Sequence, residues 1–329
     1  MPNPRLNGSK MQFPDLTNPL IVVVGPTAVG KTELSVQLAE RIGGEIVSAD
    51  SRLFYRGMDI GTAKPTLAVR ARVPHHLIDV ADPDETWSLS LFQNNARKVI
   101  SEIYRRQRIP ILVGGTGQYV HAITEAWDIP AQQPDLALRN VLMVWESQIG
   151  EEGLYRRLEI IDPEAASHID PRNVRRTVRA LEVIFHTGKR FSEQRKKGNV
   201  PYSIIQIGLT RPRSELYQRI DARVDKMIAD GLVQEISGLL AKGYSRDLPT
   251  LSAIGYREII AYFDGKLTLE EAVVLIKRAT RQFVRRQANW FKESDPNIFW
   301  FQMRDDTLNA VETCIANRYN WSLPLSEDK

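Results

Sequence analysis

The sequence is poor in the residues that build covalent or metal frameworks. It holds a single cysteine, Cys314, among 329 residues. One thiol cannot form an internal disulfide or a cysteine-based zinc site, and this usage fits a reducing compartment. The five histidines (His75, His76, His121, His168, His186) fall at no metal-ligand spacing and read as structural. Long apolar runs are missing too. The longest, LIVVVG at 20–25, is far short of the roughly 20 residues of a membrane span. Residues 1–18 have no apolar core of the secretory kind and read as a disordered polar tail. A cytoplasmic protein with no membrane partner is expected. Neither an internal repeat nor a low-complexity tract is visible.

What is present is globular. Hydrophobic residues make up 43% and charged residues 26%, enough for a sizeable core. The length suggests about two domains of roughly 150 residues. The formal charge of +4 is mild, but it is unevenly spread. From Pro171 to Val200 nine basic residues (Arg172, Arg175, Arg176, Arg179, Lys189, Arg190, Arg195, Lys196, Lys197) stand against two acids, a balance of +7. From Lys277 to Lys292 there are six (Lys277, Arg278, Arg281, Arg285, Arg286, Lys292) and no acid. Such blocks mark either a polyanion partner or solvated helix faces, and charge alone does not choose.

Short apolar runs rich in β-branched residues predict strands at 20–25, 45–49, 76–80, 109–113 and 203–209. Helical spacing predicts helices at 31–42 and 90–107. Strands alternating with helices imply an α/β fold, a parallel sheet covered on both faces. Between Gly117 and Ser203 the pattern is helical, at 136–147, 153–161 and 174–186, as for a helical insertion between two strands. Further helices are expected at 215–229, 232–241, 254–263 and 269–292. The segment after Asp295 is net negative and reads as a tail.

Gly25-Pro26-Thr27-Ala28-Val29-Gly30-Lys31-Thr32 fits G-x-x-x-x-G-K-[ST], with a strand before it and a helix after it. Glycines let the backbone wrap phosphate oxygens, and successive N–H groups with the helix N-terminus make an anion cradle. Lys31 offers a fixed positive charge, and Thr32 a hydroxyl where Mg²⁺ would bridge phosphates. The pattern points to a di- or triphosphate group without specifying ATP. Asp50 follows the strand at 45–49, on the sheet edge where α/β proteins bind ligands. It is either a general base or a helix N-cap. Gly114-Gly115-Thr116-Gly117 closes another strand and is either a ligand approach or a plain turn. Lys64 is either a second phosphate contact or an exposed lysine.

Together these segments resemble the tRNA dimethylallyltransferases, also called tRNA isopentenyltransferases. The match is carried by GPTAVGKT (25–32), SADSRLFYRGMDIGTAKP (48–65), GGTGQY (114–119) and RRTVRALEV (175–183). It continues through TGK (187–189), RIDARVDKM with GLVQE (219–235), AIGYRE (253–258) and TRQFVRRQANWF (280–291). The resemblance implies a P-loop NTPase-like fold with a catalytic domain at 19–130 and 201–295. It further implies a helical, tRNA-binding insertion at 131–200 and a tail at 296–329. It implies transfer of a dimethylallyl group from dimethylallyl diphosphate to N6 of an adenosine beside the tRNA anticodon, by a monomer.

In that reading the loop 25–32 and Arg223 hold the diphosphate, with Mg²⁺ at Thr32. Lys31 steadies the leaving group, Asp50 is the base, and Thr116 orients the amine. Ser51, Arg52, Leu53, Arg139, Arg175, Arg176, Arg179, Arg281 and Arg285 join Asp50 and Thr116 in contacting tRNA. Arg286 belongs to the same grip on RNA phosphates, and Phe54, Tyr55, Tyr256 and Trp290 offer rings for base stacking. The sequence departs from the family at Leu53, where other members often carry Gln, and at Lys292, where Arg is familiar. One cysteine also excludes the C-terminal zinc finger of eukaryotic members, so the bacterial form is implied. The alternative on the phosphate loop alone is a small-molecule kinase, with Asp50 and Arg52 serving a hydroxyl substrate.

Overall fold

The computed structural model describes residues 18–129, 135–194 and 198–321. The expected tail at 1–17, the expected domain boundary at 130–131, and Arg195, Lys196 and Lys197 lie outside the described residues. Six parallel strands form one sheet: β1 (Pro19–Val24), β2 (Gly44–Ser48), β3 (His75–His76), β4 (Ile109–Val113), β5 (Ser203–Thr210) and β6 (Ile298–Gln302). Their order is β3-β2-β4-β1-β5-β6. The helices are α1 (Lys31–Ile42), α2 (Leu67–Arg72), α3 (Leu89–Arg105), α4 (Gly117–Thr124), α5 (Leu136–Ile161) and α6 (Pro163–Ser167). They continue with α7 (Val174–Thr187), α8 (Arg213–Ala229), α9 (Leu232–Ala241), α10 (Tyr256–Phe263), α11 (Leu269–Gln287) and α12 (Thr307–Tyr319).

The central strand β1 has five consecutive buried residues, Leu20 to Val24. That is the signature of a parallel strand covered on both faces. It pairs Ile21 with Ile111 of β4 and Ile205 of β5. Leu34, Leu38 and Ile42 of α1 share one core with Ile21, Val23, Ile111 and Ile207. Because β1, β2 and β4 all run the same way, their following loops (25–30, 49–54 and 114–117) emerge at one sheet edge.

Two compact units divide the chain. The first comprises Met1–Trp87, Asn95–Val120 and Pro201–Lys329 and contains the sheet. The second comprises Ser88–Asn94 and His121–Val200. In the second unit, Leu142, Leu154 and Leu158 of α5 pack on Val178, Leu181 and Ile184 of α7. α5 is broken at Gly150 (φ 75°, ψ 166°), which matches the two separate helices expected there.

Three elements differ from expectation. The segment read as a tail supplies β6, which pairs with β5 over Gln206–Thr210, and α12, whose Val311, Ile315 and Tyr319 join the sheet core. Tyr319 donates its hydroxyl hydrogen to Ser203 O at 2.7 Å. The strand expected at 76–80 stops at His76, because Leu77 (φ 60°) and Asp79 (φ 56°) turn the chain left-handed. The following amides then bond to the loop after β2, with Val80 N–H on Phe54 O at 2.8 Å. Finally, α11 ends at Gln287 instead of running to Lys292, and 288–290 form a turn.

Candidate active site at the sheet edge

The phosphate loop leaves β1 through Gly25 (φ 144°), where a Cβ would lie 2.6 Å from Leu209 O, and enters α1 through Gly30 (φ 116°). Between them Ala28 is left-handed at φ 67°. Such backbone costs of order 1–3 kcal/mol and persists only when neighbours over-determine it. Here two arginines do so. Arg219 Nε donates to Ala28 O at 2.8 Å and Arg211 Nε to Val29 O at 2.8 Å. A trans peptide points its N–H opposite to its C=O. Fixing Val29 O on Arg211 therefore turns the Gly30 N–H to the other side. Lys31 Nζ donates to Gly25 O and Pro26 O, each at 2.9 Å.

Charge around the loop is arranged for an anion. Burial of the Lys31 ammonium lowers its pKa to about 8; Asp50 opposes this and Arg223 adds to it. Arg223 is itself lowered, by burial first and then by Arg219, against the pull of Asp50. Lys31, Asp50 and Arg223 are thus within electrostatic reach of one another. Lys31 and Arg223, with one carboxylate between them, leave an excess of positive charge beside the loop.

Asp50 does not cap a helix. Residues 51–54 form turns, and Asp50 Oδ1 accepts from Arg52 N–H at 3.0 Å, an Asx turn. The loop after β4 is laced onto it. Ala49 N–H bonds Val113 O at 2.8 Å, and Ser51 N approaches Thr116 Oγ1 at 3.5 Å. Gly114 allows this, since a Cβ would sit 2.3 Å from Ala49 O. The structure therefore brings Lys31, Asp50, Thr116 and Arg223 together with Ser51 and Arg52. Thr32 is exposed at the second position of α1. Its hydroxyl, a hard oxygen beside an anion cradle, fits Mg²⁺, which takes few protein ligands and fills its shell with phosphate and water.

The structure corrects the expectations for Lys64 and for the stacking rings. Lys64 is neither a phosphate contact nor exposed: its buried ammonium pairs with Asp59 and Asp79 at 2.5 Å each and donates to Tyr55 O. Phe54, Tyr55 and Tyr256 are core residues with no face open to a base, and only Trp290 of that group is exposed, at 38%. Lys277 pairs with Asp225 at 2.6 Å, and Arg281 pairs with Asp221 while lying over the Tyr217 ring, so α8 neutralises much of the late basic block. Arg285 and Arg286 remain exposed; Arg285 Nε donates to Tyr217 Oη at 3.2 Å. In the second unit Arg139 and Arg179 pair with buried Glu182 at 2.8 and 3.0 Å. Arg175 and Arg176 are exposed on α7.

Sequence reasoning missed three working residues. Arg219 and Arg211 hold the loop carbonyls. Gln287, 5% exposed, accepts from Thr27 N–H at 2.8 Å and donates to Gly115 O at 3.1 Å. Its signal was its phase: a glutamine on the same buried stripe of α11 as Ala272, Ile276 and Val284. Glu235 has a different task. Its carboxylate accepts from the N–H groups of Asp59, Ile60 and Gly61 and from the Tyr256 hydroxyl, which explains GLVQE and AIGYRE as one unit.

The parallel sheet with its loop between β1 and α1 defines a P-loop NTPase-like protein in which that loop adjoins a carboxylate. Residues 53–294 match the IPP transferase family, and the chain belongs to it. A tRNA dimethylallyltransferase of Roseiflexus castenholzii is 55% identical over 305 residues, covering 92% of this chain and 99% of the relative. The crystal structure of the full-length tRNA isopentenylpyrophosphate transferase of Bacillus halodurans superposes with a TM-score of 0.69 at 43% identity, over 92% and 97% of the two chains. A eukaryotic dimethylallyltransferase acting on tRNA superposes at 0.78 with 28% identity, over 94% and 81%.

Proposed function

We propose that this protein transfers the dimethylallyl group of dimethylallyl diphosphate to N6 of the adenosine beside a tRNA anticodon. The products are N6-(dimethylallyl)adenosine and diphosphate. The observation that carries the reading is that the phosphate loop, with Lys31 folded onto Gly25 O and Pro26 O, and the Asp50 turn emerge at one sheet edge, with Lys31 and Arg223 both in electrostatic reach of Asp50. A diphosphate leaving group needs the cations, and an adenine amine needs the carboxylate.

The diphosphate displaces the Lys31 ammonium from Gly25 O and Pro26 O and takes its charge. Loop N–H groups and Arg223 share the remaining oxygens. Thr32 is the residue that would hold Mg²⁺, which would supply charge neutralisation for the diphosphate. The target base leaves the anticodon loop, where bases splay readily. As the C1–O bond of the donor breaks, the N6–C1 bond forms and Asp50 accepts the N6 proton. Thr116, held beside Ser51, orients the amine. Arg175 and Arg176, with Arg285 and Arg286, contact RNA phosphates. Arg139 and Arg179, oriented by Glu182, and Arg281, oriented by Asp221, join the same contact through their remaining N–H groups, and Leu53 and Arg52 border the base. The protein acts as a monomer in the cytoplasm.

The test is incubation with Mg²⁺, labelled dimethylallyl diphosphate and unmodified tRNA. Label should appear in the tRNA at N6 of that adenosine. No label, with ATP consumed on a small hydroxyl substrate instead, would establish a kinase; membership of the IPP transferase family disfavours it.

A further inference from the structure

We propose that Gln287 is a positioning residue that sets the spacing between the donor and acceptor loops; this rests on the transferase reading above. One side-chain amide joins the two. Oε1 takes the Thr27 N–H of the phosphate loop and Nε2 gives a hydrogen to Gly115 O. Gly115 precedes Thr116, whose hydroxyl lies 3.5 Å from Ser51 N, next to Asp50. The chain of contacts therefore runs from the loop that holds the diphosphate to the carboxylate that takes the proton, with Gln287, among the described residues, as its only side chain from outside those loops.

The surroundings are shaped for this amide. A Cβ on Gly115 would stand 2.3 Å from Nε2, so glycine makes room for the contact. A Cβ on Gly117 would stand 2.2 Å from the Trp290 ring, so the same loop also admits the turn that ends α11. Thr27 N–H is a loop donor spent on the protein, not on phosphate. It contributes by fixing where the cradle stands. Group transfer between two bound partners is acutely sensitive to that placement, since a displacement of about 1 Å can cost about 10²-fold in rate. Little affinity for either partner should depend on it, because Gln287 touches the loop backbones and not the cations or the carboxylate.

The experiment compares Gln287→Met, which keeps length and loses both bonds, with Gln287→Glu, which can still accept from Thr27 N–H but meets Gly115 O with a lone pair. Steady-state transfer is measured for both substrates, with thermal unfolding alongside. Expected are a kcat about 10- to 100-fold lower in each variant, KM values for dimethylallyl diphosphate and tRNA within about threefold of wild type, and unfolding temperatures within a few degrees. A kcat within threefold of wild type in either variant overturns the proposal. So does a fall in kcat matched by an equal rise in KM for the diphosphate, which would make Gln287 a prop of the donor pocket alone. If the Met variant does not fold, the Glu variant decides by the same criteria. Absence of transfer by the wild-type protein would refute the transferase reading itself and this inference with it, whereas failure confined to the variants refutes only the inference.

Discussion

Raising the pH from 7 to 9 should weaken binding of dimethylallyl diphosphate about tenfold, and Lys31 should be the cause. Its pKa is lowered to about 8 in the ligand-free protein, by burial first, with Asp50 opposing and Arg223 assisting. About nine-tenths of the free protein then carries charged Lys31 at pH 7 and about one-tenth at pH 9. A bound diphosphate stabilises the charged form and lifts the pKa, so binding takes up a proton between the two values. Affinity therefore falls by up to tenfold per pH unit above 8, about 1.4 kcal/mol per unit. The contribution to stability has the opposite sign. A lysine lowered on folding leaves the unfolded chain holding more protons between pH 8 and 10.5, so stability gains as pH rises through that window. Equilibrium titration with a non-hydrolysable thiolodiphosphate analogue at fixed Mg²⁺ measures the first effect. The control is Lys31→Arg, whose guanidinium stays charged throughout. Equal affinity at pH 7 and 9, or a parallel decline in Lys31→Arg, would refute the reasoning.

Asp50→Ala should reduce transfer at least about 10²-fold while diphosphate affinity changes little or improves, since a negative charge leaves the anion site; near-normal turnover would remove Asp50 as the base. Replacing Arg175 and Arg176 together by Gln should weaken tRNA binding and lower the slope of log K against log salt by about one to two, read from binding at several ionic strengths. An unchanged slope would return α7 to a solvated face. Glu235→Ala removes the acceptor for three backbone N–H groups and the Tyr256 hydroxyl. It should cost about 2–4 kcal/mol in denaturant unfolding, and a loss under 1 kcal/mol would mean that water replaces the carboxylate freely.

The parts of the fold that the sequence displays are those with strong local periodicity. LIVVVG and the four-residue spacing of Leu34, Leu38 and Ile42 lead directly to β1 and α1. β6 and α12 were equally legible: IFWFQ is an aromatic run between turn residues, and Leu308, Val311, Ile315 and Tyr319 keep helical spacing. The net negative charge of that segment drew attention from its pattern. The end of β3 was not legible, because a left-handed Leu77 is imposed by what Val80 and Ala81 bond to, not by leucine. The same limit applies at the site. Lys31, Asp50 and Thr116 sit in motifs tied to strand ends, so topology gathers them. Arg211, Arg219 and Gln287 reach the loop across 182, 191 and 260 residues; the phase of Gln287 on α11 marks it as buried, but no local pattern names a partner at such a separation.

Those separations have a consequence for synthesis. The phosphate loop emerges from the ribosome within the first tenth of the chain, but its strained Ala28 has nothing to hold it until β5 and the start of α8 are made. At about 5–20 residues per second, roughly 13–50 s pass between Gly25 and Gln287. Within that time, between the completion of β4 at Val113 and the start of β5 at Ser203, the strands on one side of β1 exist and those on the other do not. A nascent chain in that interval has the sequence of the cradle without its shape. The loop therefore acquires its folded shape only when translation is nearly complete, as a late product of folding rather than an early one.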